Sequence, residues 1–179
     1  MILRTALTLA LLSAAATATP ALAKGDDGET GVEKCKRGEV YDERKEACVP
    51  TSAAELTDDA LLANAKGLAY SDRFDEAIAV LNLIGDQDDT DVQTMLGYST
   101  RMNGDYETGM KHYHVALRLD VDNTVARSYM GAALAGKGDL AAAEAQLREI
   151  EARCGTGCDD YAFLRDVMAG ARPYDSQTR

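Results

Sequence analysis

Tryptophan is absent from this chain, and its 179 residues include only two phenylalanines, two histidines and three prolines. A core must therefore be built mainly from Leu, Ala, Met, Ile and Tyr, and abundant Ala with Leu favours helices. Basic residues are also few, since 19 Lys and Arg stand against 30 Asp and Glu, for a formal net charge of −11. This acidity argues against nucleic acids and anionic membrane surfaces as partners, because both attract positive charge.

Long apolar runs are missing as well, except near the N-terminus. Met1 to Arg4 carries a positive charge, Thr5 to Thr17 is apolar, and Ala21-Leu22-Ala23 supplies an Ala-x-Ala triplet. This order is typical of a secretory signal peptide, here residues 1–23, and the run is too short to span a bilayer. The alternative is a buried N-terminal helix. We expect a periplasmic or secreted protein with no membrane insertion after cleavage.

The four cysteines are interpreted first as disulfides, since the chain is predicted to be exported. Local pairing, Cys35 with Cys48 and Cys154 with Cys158, is favoured because each pair lies inside its own structural unit. A four-thiolate zinc site would need Cys-x-x-Cys in both halves, and neither spacing fits. No metal or other cofactor is predicted.

The region before the helices divides into two parts. Residues 24–34 are Gly-rich and acidic, and predict a disordered leader. Residues 35–50 predict a small hairpin or loop closed by a disulfide, because so short a segment has too little core of its own. This part resembles a short Cys-x-x-Gly-x-Val-(Trp/Tyr)-Asp…Cys-Val knuckle near the N-termini of exported bacterial proteins. It is either a cap on the helices or a separate recognition element.

A 34-residue repeat organises most of the remaining chain. Shifting 90–123 by 34 residues onto 124–157 aligns Gly104-Asp105-Tyr106 with Gly138-Asp139-Leu140. Such a period is typical of helical hairpins that bury their apolar faces by stacking on each other. The domain is predicted to span 56–172 with a flexible tail at 173–179. Seven helices are expected between about Asp58 and Gly170, with later ones at Asp91–Met102, Tyr106–Leu119, Thr124–Lys137 and Leu140–Arg153, and the last from about Cys158.

The acidic segment Asp86–Asp91 has two interpretations. It could be part of a calcium loop, but the central Gly is missing and the twelfth residue is Gly97 rather than Glu. The interpretation we favour is a solvated loop that caps the next helix.

These motifs resemble the tetratricopeptide-repeat (TPR) family. The resemblance rests on Leu96-Gly97, Gly104-Asp105-Tyr106 and Tyr113 in one repeat, and on Met130-Gly131 with Gly138-Asp139 in the next. It implies an all-α fold, a solenoid of antiparallel helix hairpins with about three repeats plus a closing helix. Gly97 and Gly131 would allow close helix packing. Gly109 stands where Ala is usual, and we expect it to weaken its packing contact.

The resemblance also implies a function, protein or peptide binding along the concave groove. Tyr98 with Arg101 is the anchor candidate, because Tyr and Arg are frequent at binding hot spots. The alternative is that both merely cover the helix surface. A carboxylate-clamping version would use more basic groove positions than Lys66 and Arg101. The predicted groove residues other than alanine are Leu62, Lys66, Tyr70, Thr94, Tyr98, Arg101, Met102 and Ser128.

Catalysis finds little support in the sequence. His112 and His114 are two residues apart on a helix, so they point in different directions and cannot chelate one metal. No phosphate loop or nucleophile motif is present. We therefore expect a non-enzymatic scaffold or adaptor in the bacterial periplasm, with a protein or peptide partner. The alternative is a self-associating component of an envelope assembly, and hence a homo-oligomer.

The export hypothesis makes a direct prediction. Protein recovered from its native host should begin at Lys24, because cleavage follows Ala21-Leu22-Ala23. N-terminal sequencing of the purified protein checks this, and a soluble form that retains Met1 would contradict it.

Overall fold

Helices make up most of the chain, which a computed structural model describes for residues 35–53 and 55–173. The predictions for the signal peptide (1–23), for the leader (24–34) and for all but the first residue of the tail (173–179) lie outside these residues. Within them the all-α prediction is confirmed, with seven helices and a single two-stranded sheet. The elements are β1 Glu39–Asp42, β2 Ala47–Pro50, α1 Asp58–Tyr70, α2 Phe74–Leu81, α3 Thr90–Met102, α4 Tyr106–Leu119, α5 Thr124–Gly136, α6 Leu140–Cys154 and α7 Asp159–Met168.

Polar side chains define where most helices begin. Asp89 accepts hydrogen bonds from the backbone N–H groups of Asp91 and Val92, at 2.7 and 3.0 Å. The segment Asp86–Asp91 thus caps α3, as the favoured interpretation predicted. Comparable caps satisfy backbone donors that a helix start leaves unpaired. The other capping side chains are Thr57, Asp105, Asn123 and Asp139.

The helices pack in successive pairs, α1 on α2, α3 on α4 and α5 on α6. The first members of the pairs also touch one another, since α1 contacts α3 and α3 contacts α5. The last helix, α7, packs against both α5 and α6. One hydrophobic cluster runs through all of these contacts, from Val40 to Val167.

A close approach between α3 and α4 occurs at two glycines. A Cβ atom added to Gly97 would lie 2.6 Å from Cδ1 of Tyr113, and one added to Gly109 would lie 2.7 Å from the carbonyl oxygen of Gly97. The expectation that Gly109 weakens its contact was wrong. Its missing side chain is what allows the two backbones to meet, so Ala at this position would push the helices apart.

The end of the helical stack is closed by α7. A Cβ atom on Gly131 would lie 2.5 Å from Cδ2 of Leu164, so this glycine makes room for the last helix as well as for α6. Leu164 is fully buried. The predicted disulfide between Cys154 and Cys158 is confirmed and joins α6 to the start of α7, with 5.9 Å between the Cα atoms.

Residues 35–50 form a hairpin closed by the predicted Cys35–Cys48 disulfide. Val40 is fully buried within the helical core cluster. The side-chain amide of Asn64 in α1 accepts from the backbone N–H of Tyr41 at 2.7 Å and donates to its carbonyl at 2.9 Å. Arg73, just before α2, donates to the carbonyl of Cys35 at 2.8 Å. Of the two interpretations of this segment, these contacts are those of a cap on α1 and α2.

We predict that the α3–α4 crossing tolerates no added side chain. Gly97→Leu should lower the free energy of unfolding by about 1–3 kcal/mol, because the larger side chain overlaps Tyr113. Urea unfolding followed by circular dichroism measures the effect. Gly157→Ala is the matched control, since no atom lies within 4 Å of its Cβ position. Equal stability of Gly97→Leu and the unsubstituted protein would refute the close crossing.

Candidate binding site

A row of aromatic rings connects the first helices of the pairs with the closing helix. Tyr98 in α3 lies 6.1 Å from Tyr70 in α1 and 4.9 Å from Tyr129 in α5, measured between ring centroids. Tyr129 in turn lies 6.0 Å from Phe163 in α7. We call these four residues the aromatic row. Such pairs stabilise by about 0.5–1.5 kcal/mol beyond their buried area.

The hydroxyl groups of the aromatic row differ in their surroundings. The hydroxyls of Tyr70 and Tyr129 are 3.0 Å apart and share a hydrogen bond. Tyr98 is 1% exposed, and its hydroxyl has no hydrogen-bond partner among the described residues. Burial raises the pKa of Tyr98 well above its usual value, so this phenol stays neutral.

The structure corrects the role expected for Tyr98. A side chain that is fully buried cannot serve as an exposed anchor for a partner, and Tyr98 instead supports the partly exposed Tyr70 from below. Ser128 is also interior, where its hydroxyl donates to the carbonyl of Val125 at 2.9 Å. Of the eight predicted groove residues, Thr94, Tyr98, Arg101 and Ser128 are buried, whereas Leu62, Lys66, Tyr70 and Met102 are half-buried or exposed.

A first cleft of about 220 Å³ lies between α1, α3 and α5. Lys66 reaches across it, with its Nζ 2.9 Å from the Oδ2 of Asp91. The charge of Lys66 is therefore already matched, and the remaining wall is largely apolar. The lining residues are Lys66, Tyr70, Asp91, Thr94, Met95 and Val125.

A second cleft of about 340 Å³ lies where α3 and α5 end and α4 begins. Arg101 borders it, with Cζ 5.7 Å from the ring centroid of Tyr98. Lys137 lies opposite, with Nζ 4.8 Å from the ring centroid of Tyr106, whose pKa partial burial raises. The lining residues are Arg101, Met102, Gly104, Tyr106, Ala133, Gly136 and Lys137.

Sequence reasoning found only part of this surface. Tyr129 and Phe163 were missed, although they are separated by one repeat of 34 residues. The repeat does not lead from Tyr98 to either ring, because a 34-residue shift from Tyr98 reaches Ala132, which carries no ring. Lys137 and Tyr106 were missed because they lie at turns, Lys137 just after α5 and Tyr106 at the start of α4. The predicted groove positions lie within the first helix of each pair.

The two histidines lie on α4 in different surroundings. The Nδ1 of His112 lies 2.8 Å from the Oε1 of Gln93, and burial lowers the pKa of His112. His114 is exposed on α4. Across residues 35–53 and 55–173, no three His, Cys, Asp or Glu side chains are placed to share a metal ion. No helix in these ranges is long and apolar enough to cross a membrane.

The unpaired hydroxyl of Tyr98 yields a prediction about stability. Tyr98→Phe should leave the free energy of unfolding unchanged or raise it slightly, because it removes a buried polar group that has no hydrogen bond. Tyr129→Phe is the matched comparison and should cost about 0.5–1.5 kcal/mol, because it breaks the bond to Tyr70. Denaturant titration of both variants checks the difference. A loss at Tyr98 as large as that at Tyr129 would show that the Tyr98 hydroxyl is paired.

No protein-family model matches this chain, and no curated protein sequence matches it either. The resemblance to tetratricopeptide repeats therefore rests on the motif residues alone.

Proposed function

We propose that this chain is an exported, TPR-like scaffold that binds a protein or peptide segment along the face formed by α1, α3 and α5. The observation that carries the proposal is the first cleft, which opens between these three helices beside a partly exposed tyrosine. Tyr70 is 42% exposed there, while the rings beneath it are buried. A rigid aromatic group at the edge of an apolar cleft is a favourable contact for a partner side chain.

The packing supports the repeat arrangement. Consecutive helices contact each other in pairs, and the first helix of each pair touches the first helix of the next. Gly97 and Gly131 allow close approach at equivalent positions of two successive repeats. The closing helix covers the apolar side of the last pair, which repeat proteins need for solubility.

The dimensions and charges of the first cleft favour a peptide side chain over a small-molecule substrate. Its volume of about 220 Å³ is below the ~300–1,000 Å³ typical of small-molecule sites. The ion pair between Lys66 and Asp91 leaves no net charge of its own to attract an acidic or basic ligand. Met95 and Val125 provide apolar contact area instead. We infer binding without catalysis.

Two disulfides support an oxidising compartment such as the periplasm, because they persist where thiols are not kept reduced. A negatively charged surface is also compatible with a protein partner rather than nucleic acid. The proposed location and the proposed partner are thus consistent with each other.

Site-specific crosslinking in the native host tests the binding face. Tyr70 is replaced by the photoreactive p-benzoylphenylalanine, which keeps an aromatic ring at the edge of the first cleft. We expect ultraviolet light to yield a discrete adduct with another protein, identified by mass spectrometry. The matched control places the same group at His114, which is exposed on α4, and should give no such adduct.

Three outcomes would contradict the proposal. Equal adducts at both positions would mean that contact is not confined to this face. The absence of any adduct at Tyr70 would argue against a partner there. An adduct with the mass of two copies of this chain would favour the alternative of a self-associating envelope component.

A further inference from the structure

The second cleft holds a positive charge that no carboxylate of the described residues neutralises. Arg101 is 7% exposed, and its Nε forms no hydrogen bond among the described residues. Its Cζ lies 5.7 Å from the centroid of the Tyr98 ring. Leaving a buried donor of a charged group without a hydrogen bond is costly, so the position of Arg101 calls for an explanation.

Nearby carboxylates are committed to other contacts. Asp105 precedes α4 and accepts from the backbone N–H of Thr108 at 3.0 Å. Asp139 precedes α6 and accepts from the backbone N–H of Ala142 at 3.1 Å. Both are helix caps, where the positive end of the helix dipole favours their charge. Neither forms an ion pair with Arg101 in the described part of the chain.

Stabilisation of the C-terminus of α3 does not explain why Arg101 is enclosed. Arg101 lies in the last turn of α3, where a positive charge offsets the helix dipole. Arg118 occupies the same place in α4 and is exposed to solvent. A basic residue can therefore fill this role from the surface. The close approach at Gly109 accounts for the burial of the Arg101 backbone and Cβ, but not for the placement of its guanidinium group at the second cleft.

A second cation borders the same space. Lys137 directly follows α5 and is exposed, with its Nζ over the ring of Tyr106. The cleft between the two cations has a volume of about 340 Å³, within the lower range of small-molecule sites. Met102, Ala133 and the ring of Tyr106 form apolar walls of this cleft. Two cations facing apolar walls suit a ligand with a negative end and an apolar body.

We propose that the second cleft binds a small organic oxyanion, a carboxylate or phosphate group attached to an apolar or aromatic body. Arg101 presents a planar set of donors that matches two oxygens of such a group, and Lys137 adds a second positive charge. The apolar body packs against Tyr106 and Met102. This site goes beyond the proposed peptide-binding face, since it needs no protein partner and lies at the other end of α3.

Three matched aromatic compounds test the site: benzoate, phenyl phosphate and the neutral benzamide. Each is titrated into the isotope-labelled protein while amide chemical shifts are recorded by NMR. We expect benzoate, phenyl phosphate or both to shift amides near Arg101, Tyr106 and Lys137, and benzamide to shift none of them. The anion that binds identifies the group. Failure of both anions, or equal binding of benzamide, would overturn the proposal.

Variants locate the charge that is responsible. Arg101→Met should weaken binding of the anion at least about tenfold, because it removes a charge-assisted pair of hydrogen bonds. Lys137→Gln should weaken it by a smaller factor, and this exposed position keeps the test valid if Arg101→Met does not fold. Arg118→Gln removes the same charge elsewhere and should leave binding unchanged. Unaltered binding in Lys137→Gln, or equal weakening in Arg118→Gln, would show that the cleft is not the site.

Discussion

The architecture depends on one close approach, where the backbones of α3 and α4 meet at Gly97 and Gly109. Because neither residue has a Cβ, the helices come near enough for Tyr113 to pack directly against Gly97. Tyr113 is fully buried as a result. In the same way, the missing side chain at Gly131 leaves room for Leu164 of the closing helix. The packing of the helices therefore depends on where side chains are missing as much as on where they are present.

Close packing of the helix pairs leaves their first helices side by side, and the aromatic row fills the space between them. Tyr98 lies in the interior of this row, which gives it support from rings on both sides. Only Tyr70 at one end is substantially exposed. Along α3, the two clefts lie on opposite sides of Tyr98. The first cleft is beside Thr94 and the second is beside Arg101. One set of buried contacts thus fixes the geometry of both candidate sites.

The electrostatics of the two clefts differ although they share α3. In the first, Lys66 is matched by Asp91 at 2.9 Å, so the surface is close to neutral. In the second, Arg101 and Lys137 have no carboxylate partner among the described residues, and the neighbouring aspartates cap helices. An acidic protein with a net charge of −11 thereby keeps a local positive region at this cleft. The contrast separates a surface suited to side-chain contact from a cavity suited to an anion.

Sequence alone determined the local structure, because the signals are local. The 34-residue period, the caps such as Asp89, and the spacing of the cysteines predicted the helices, their order and both disulfides. Only the tertiary structure decided which groove positions are exposed. Tyr98 and Ser128 were predicted to face the groove, yet both are buried, and Tyr98 packs between Tyr70 of α1 and Tyr129 of α5. The burial of Arg101 could not be predicted from the sequence either. Exposure depends on neighbours that are distant in the chain and on how closely the glycines let the helices approach.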